Sequence, residues 1–148
     1  MEFRQATTHD VPALTALRKQ QLIDEGLPVL QNIDNELRDF FLSGLSDKTF
    51  ISWVALENGS IIATSGLSFY KLPPTYANPS GIVAYINNMF TLKEHRRKGI
   101  AAVLFEKVLS EVRSAGCSLV RLHASSDGRA LYAKFGFLPT DGYMALYL

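Results

Sequence analysis

The chain has 148 residues, 47% of them hydrophobic, and fifteen Lys and Arg stand against fourteen Asp and Glu for a formal charge of +1. That length suits one ordinary domain, expected to span residues 1–148, with enough apolar material for a sizeable core, and the balanced charge gives no global field to draw nucleic acid or an anionic membrane. The single cysteine, Cys117, forbids an internal disulfide and reads as a small buried hydrophobe, while His9, His95 and His123 are too scattered to suggest a metal site.

In chain order, residues 1–5 lack the apolar core of a signal peptide, and no later stretch reaches the length of a membrane span, so a cytoplasmic location is expected. Residues 3–6 read as a short strand. Thr7 to Asp10 fits a capping box, Pro12 favours a helix start near Asp10, and Leu14, Leu17, Gln21 and Leu22 trace one face to about Glu25, with Gly26 as the stop. A second helix over about 34–45 carries Leu37, Phe40, Phe41 and Leu45. Residues 49–57 and 61–70 are rich in β-branched and aromatic residues, and Asn58-Gly59 between them predicts an antiparallel hairpin. Three prolines and Gly81 make 72–81 a loop, after which 81–91 is strand-like again. From Gly99 to about 115, Ile100, Val103, Leu104, Val108 and Val112 form one helical stripe closed by Gly116, and 118–124 is another strand. Strand, helix and strand here make a right-handed βαβ crossover with parallel pairing. A short helix is expected over about 127–134, with Phe137 and 143–148 closing the sheet. No repeat, low-complexity tract or domain-scale linker interrupts this order.

The run Arg96-Arg97-Lys98-Gly99-Ile100-Ala101 turns from strand into the long helix. The first N–H groups of a helix have no intrahelical acceptor and lie at the positive end of its dipole, so an anion there is hydrogen-bonded and attracted together. Gly99 lets a phosphate approach closely. Without an anion, three cations at a helix N-terminus would be mildly unfavourable; the competing reading is a solvated charge run. A nucleic-acid role for 95–98 is weak, because no basic stripe or interleaved aromatics accompany it.

With these residues the chain resembles the GNAT superfamily of acetyl-CoA-dependent N-acetyltransferases. That family's pyrophosphate motif is Arg or Gln, two residues, Gly, one residue, then Gly or Ala, and Arg96, Gly99 and Ala101 occupy those positions. The motif follows a strand ending Asn87-Asn88-Met89-Phe90-Thr91, and it precedes Leu131-Tyr132-Ala133-Lys134-Phe135-Gly136-Phe137, similar to the family's tyrosine-to-Gly-Phe signature. The resemblance implies a mixed, mostly antiparallel α/β sheet with a central parallel βαβ crossover and helices on both faces. It implies that main-chain groups of Met89, Phe90 and Thr91 pair with the pantetheine arm of acetyl-CoA. The amides of Arg97, Lys98, Gly99, Ile100 and Ala101 would take its pyrophosphate. Two positions depart from the family pattern. Ser125 stands where an asparagine often contacts the cofactor, and Asn87 and Asn88 fall where a glutamate base is often found.

The implied chemistry is attack of an amine on a thioester within a ternary complex. An alkylamine of pKa near 10.4 is neutral in only about one molecule in a few thousand at pH 7, roughly 4 to 5 kcal/mol of barrier unless a proton is removed. Candidate acceptors of that proton are His123, Asp127, Asp24 or Glu25, and a water chain held by Asn87 and Asn88. For His123 the plainer reading is a polar residue satisfied on a strand face. By resemblance, Tyr132 protonates the departing thiolate, since a phenol keeps its proton at neutral pH; taken alone, it would read as core packing. A main-chain N–H near Met89 or Phe90 would stabilise the oxyanion.

The acceptor pocket implied by resemblance draws on Asp24, Glu25, Tyr70, Tyr76, Asp141 and Tyr143, and the loop with Pro73, Pro74, Tyr76 and Pro79 is either a stiff lid or a plain hairpin connection. Three functions follow. A small-molecule N-acetyltransferase is favoured over a protein or peptide N-acetyltransferase and over a non-catalytic acyl-CoA-binding module, with a homodimer left open and no metal, nucleic acid or membrane partner expected.

Overall fold

The computed structural model describes residues 1–140 and 142–148. Strand β1 (Glu2–Gln5) leads into a 3₁₀ turn at Thr8–Asp10 and then helix α1 (Val11–Asp24). The Asp10 carboxylate accepts the Thr7 N–H at 2.7 Å and two hydrogen bonds from the Arg4 guanidinium at 2.8 and 2.9 Å. The capping box thus starts the 3₁₀ turn, and α1 begins at Val11 with Pro12 in the first turn, where a missing N–H costs nothing. Helix α2 (Asp34–Asp47) ends on Lys48 in the left-handed region at φ 62.

The stretch 49–57, expected as one strand, is two: β2 (Phe50–Ile51) and β3 (Trp53–Glu57). Buried Ser52 separates them, its hydroxyl donating to the Ser65 carbonyl at 2.6 Å. The Ser65 hydroxyl accepts the Trp53 N–H at 3.1 Å and donates to the Trp53 carbonyl at 2.9 Å, so serine side chains replace part of the ladder. Asn58 and Gly59, at φ 51 and 79, make the two-residue turn into β4 (Ser60–Lys71). β5 (Ile82–Thr91) returns antiparallel. The Leu72 N–H donates to the Gly81 carbonyl at 2.8 Å across the base of the connecting loop, so the proline-rich segment is a hairpin connection.

Helix α3 (Ile100–Ser114), strand β6 (Val120–Leu122) and helix α4 (Arg129–Lys134) complete the order. β6 pairs parallel with β5 through Ala84↔Val120, Tyr85↔Arg121 and Ile86↔Leu122, which is the expected βαβ crossover. The sheet runs β1-β3-β4-β5-β6 with β2 on β4, antiparallel except at β5-β6. Successive β3 residues face opposite ways: Val54 packs with Phe41, Val11 and Leu14 of the first two helices, and Ala55 packs with Ile100 and Leu104 of α3. Helices therefore cover both faces, and the architecture is the mixed α/β fold expected. Among the described residues no helix is long and apolar enough to cross a membrane.

Two expectations are corrected. Val103 lies at the margin of the α3 stripe and is exposed, and Phe105 and Leu109 complete the buried face instead. Residues 143–148 do not close the sheet: β6 offers only three residues to pair with, the chain turns at Gly136 and Gly142 with φ 91 and 107, and Tyr143, Met144 and Leu146 to Leu148 are exposed. Asp141, expected near the acceptor, lies outside the described residues.

The Arg4–Asp10 contact yields a stability prediction. Hydrogen bonds from Arg4 first, then from Thr7, hold the Asp10 carboxyl below its ordinary value despite partial burial. Asp10→Ala is expected to lower stability by about 1–2 kcal/mol at neutral pH. A carboxylate depressed in the folded state stabilises above its unfolded pKa and ceases to as pH falls through its folded one. The gap between wild type and variant in urea denaturation should therefore be full above about pH 4 and close in stronger acid.

Candidate active site

Between the pairs Thr64↔Phe90 and Gly66↔Asn87, one residue of β4 faces two of β5, Asn88 and Met89. This is a β-bulge, and Asn88 adopts φ 54, a left-handed conformation asparagine tolerates better than most residues. The Thr64 hydroxyl donates to the Asn88 carbonyl at 3.0 Å, and a Cβ at position 66 would collide with Asn87 and the Phe50 ring, so only glycine fits opposite. Pairing of β5 with β6 stops at Ile86↔Leu122, just before the bulge, and the two strands part.

Into that parting point the main-chain groups of Met89 and Thr91. The Gln21 side chain donates to the Met89 carbonyl at 3.2 Å, and Arg96 Nε donates to the Thr91 carbonyl at 2.9 Å. By strand alternation the main-chain groups of Phe90 face β4 instead, while its ring lies 5.6 Å beneath the Arg96 guanidinium.

A cleft of about 200 Å³ occupies the parting. It brings together Tyr132, Ser125, Asn87, Asn88 and Met89 from the sequence reading, and also His123 and Glu25. Asp24 is not in the lining, because it is paired with Arg96 at 2.8 Å. Asp127, Tyr70, Tyr76 and Tyr143 are not in the lining either; Tyr70 packs at a tilt beside Tyr85, Tyr76 is fully exposed on the hairpin loop, and Tyr143 lies under Arg121. Arg18, Gln21 and Tyr85 line the cleft and were missed. A glutamine on the apolar stripe of α1 was the available signal.

Tyr132 is seated by aromatic packing and by a missing methyl. Its ring centroid lies 5.2 Å from Phe105 and 6.3 Å from Phe137. Ser125 builds the preceding turn, its hydroxyl accepting the Gly128 N–H at 3.2 Å and its carbonyl the Arg129 N–H at 3.1 Å. A Cβ on Gly128 would stand 2.7–2.9 Å from Cε2, Cζ and the hydroxyl of Tyr132. Burial, and then the negative charge of Glu25, push the phenol above its ordinary value, so it stays protonated through neutral pH. Asn88 is 6% exposed, and among the described residues neither its Oδ1 nor its Nδ2 has a partner. A buried amide left this way costs free energy unless something entering the cleft engages it.

At the start of α3, Gly99 takes φ 79 and Arg97 φ 63, left-handed residues of the kind that curl a backbone into an anion-binding concavity. Arg97, Lys98 and Gly99 are exposed, Ala101 is half-buried and Ile100 is buried in the core. The Arg96 guanidinium is committed to Asp24 and Thr91, which leaves Arg97 and Lys98 as the exposed cations of this turn.

A split between parallel strands, a helix N-terminus beside it and a buried phenol within it are the features that the resemblance to acetyl-CoA-dependent acetyltransferases implies. The comparisons agree. The acetyltransferase (GNAT) family matches residues 15–137, and the chain belongs to that family. It is 38% identical to a predicted acetyltransferase from Clostridium acetobutylicum crystallised with acetyl-CoA, over 99% of this chain and 95% of that one, with a TM-score of 0.95. A GCN5-related N-acetyltransferase from Ralstonia eutropha is 28% identical over 99% and 97% of the two chains, with a TM-score of 0.91. Glucosamine-6-phosphate N-acetyltransferase from Arabidopsis thaliana, 19% identical over 99% of each chain with a TM-score of 0.72, shares the fold.

The backbone of Gly128 fixes where the Tyr132 phenol can sit. Gly128→Ala, at φ −85 and so without backbone strain, is expected to displace the phenol and reduce kcat for acetyl transfer about tenfold to a hundredfold. Donor affinity and thermal stability should change little; an unchanged kcat with chemistry rate-limiting would show the seat to be unimportant.

Proposed function

We propose that residues 1–148 form a single catalytic domain that moves an acetyl group from acetyl-CoA to the primary amine of a small molecule, by direct attack in a ternary complex. The observation that carries this reading is the protonated Tyr132 phenol inside the cleft that Met89 lines. The GNAT family uses acetyl-CoA as donor, and the Clostridium acetobutylicum relative was crystallised with it. The amides of Arg97, Lys98, Gly99, Ile100 and Ala101 receive the pyrophosphate, with the Arg97 and Lys98 charges nearby. The pantetheine arm lies along β5 as an added strand, bonding to Met89 and Thr91, with Phe90 contributing its packed ring and Ser125 facing from the other wall. Arg96 supports this by fixing the end of β5.

The amine nitrogen attacks the thioester carbonyl, whose oxygen gains charge facing the Met89 N–H. The carbon–sulfur bond then breaks, and the Tyr132 hydroxyl gives its proton to the departing thiolate. The proton lost by the amine leaves through water to Glu25 or to solvent, in place of the carboxylate on β5 that this chain lacks. The closeness of the cleft, about 200 Å³, favours a small amine or the end of one over a folded protein surface.

Two experiments test this. Gly99→Glu, which adds a side chain and a negative charge where phosphate is to sit and places it at a left-handed φ, should weaken acetyl-CoA binding at least tenfold in calorimetry while the protein stays folded; unchanged affinity would rule out the placement. Tyr132→Phe keeps the ring and removes the proton. Its kcat for CoA release in an amine library should fall about tenfold to a thousandfold with donor affinity nearly unchanged. Because the phenol is raised, wild-type kcat should show no alkaline decline from this group below about pH 10.

A further inference from the structure

Helix α1 turns three polar side chains into the cleft, Arg18, Gln21 and Glu25, spaced i, i+3 and i+7 and so on one face. Arg18 Nη1 donates to Gln21 Oε1 at 3.0 Å, and Gln21 Nε2 donates to Glu25 Oε1 at 3.0 Å and to the Met89 carbonyl at 3.2 Å. The central amide is thereby fixed with its oxygen toward the cation and its nitrogen toward the anion. Along the helix the face reads cation, amide, anion, with about 10 Å between the first and last Cα at 1.5 Å per residue.

Arg18 is under-partnered for its surroundings. Arg4, Arg96 and Arg113 reach carboxylates at 2.8, 2.8 and 2.9 Å. The half-buried Arg18 makes no ion pair among the described residues, and only one of its five donors meets an acceptor, a neutral one. Loss of solvation is the largest influence on it and works against its charge, with Glu25 offsetting only part. Drawing a guanidinium out of water for a single amide bond is unfavourable unless a ligand brings the missing charge. A second, independent feature faces the same cleft: the buried Asn88 Nδ2, a donor with no acceptor.

The reactive end of this face is Glu25, whose charge acts on the Tyr132 phenol. We infer that the acceptor is an amine carrying a carboxylate, its amine placed at the Glu25 and Tyr132 end and its carboxylate received by the Arg18 guanidinium, with the Asn88 amide as a further donor. This rests on the acetyl-transfer reading and narrows its substrate class to amino acids in the broad sense. A carboxylate matches the planar fork of Arg18. A dianion is less suited, since the cleft holds one permanent cation and the carboxylate of Glu25 opposes it.

The test compares ω-amino acids of two to six carbons with the matching ω-amino amides, each scored as kcat/KM per neutral amine, in wild type and Arg18→Met. At least one amino acid is expected to exceed its amide tenfold or more in the wild type, and that ratio should fall to within about threefold of one in Arg18→Met. Arg18→Lys should restore part of it. A ratio near one at every length in the wild type, a ratio that survives Arg18→Met, or a preference for aminoalkyl phosphates over every carboxylate would each overturn the assignment. CoA release from no amine at all would instead sink the acetyl-transfer reading. In that case calorimetric titration of the same amino acids into the CoA-loaded protein decides: binding that is lost in Arg18→Met upholds the carboxylate site, and absence of binding in the wild type removes it.

Discussion

The mismatch of one residue against two at the β4–β5 bulge is the constraint on which the site depends. It occurs where β5 would otherwise continue beside β6, and it leaves the main chain of Met89 to Thr91 without a strand neighbour on that side. Unpaired main-chain groups within a protein are costly, so they must be met from elsewhere. Here the carbonyls are met by Gln21 from α1 and Arg96 from the turn before α3. The bulge therefore dictates where the first helix and the turn before α3 can sit. Its own strain, a left-handed Asn88, is held by Thr64 and tolerated because residue 66 has no side chain.

Around that opening the two walls are built by different means. One is the polar face of α1, kept in order by side-chain hydrogen bonds through a single glutamine. The other is the α4 wall, where Tyr132 packs against Phe105 and Phe137, and where the backbone of Gly128 lies against the phenol. Aromatic packing fixes the ring and, by burying it, supplies the larger part of the upward push on the phenol, to which Glu25 across the cleft adds.

Element order, the hairpin at Asn58-Gly59 and the βαβ crossover were legible because each rests on local chemistry: left-handed turn residues, β-branched runs and a clean helical stripe. The roles proposed for the turn at Arg96 to Ala101 and for Tyr132 come only through resemblance, since three cations or one tyrosine admit plainer readings. What escaped was long-range. The break at Ser52 depends on Ser65, thirteen residues away. The choice of Glu25 over Asp24 for the cleft depends on Arg96 claiming its neighbour across seventy-two residues. The C-terminal residues 143–148 have an apolar, strand-like composition, but the edge they would need is three residues long. Arg18 carries no motif and is visible only once helix face and cleft are seen together.

The Arg96 contacts tie two regions that the sequence keeps apart. One side chain grips the last turn of α1 through Asp24 and the end of β5 through Thr91, and its own backbone leads directly into the curled amides at Arg97. In the proposed reading the anion site and the acceptor site are therefore joined by one strut, so that coupling between them has a physical route. Whatever factor occupancy of one imposes on the affinity of the other must be returned with the same size in the reverse direction.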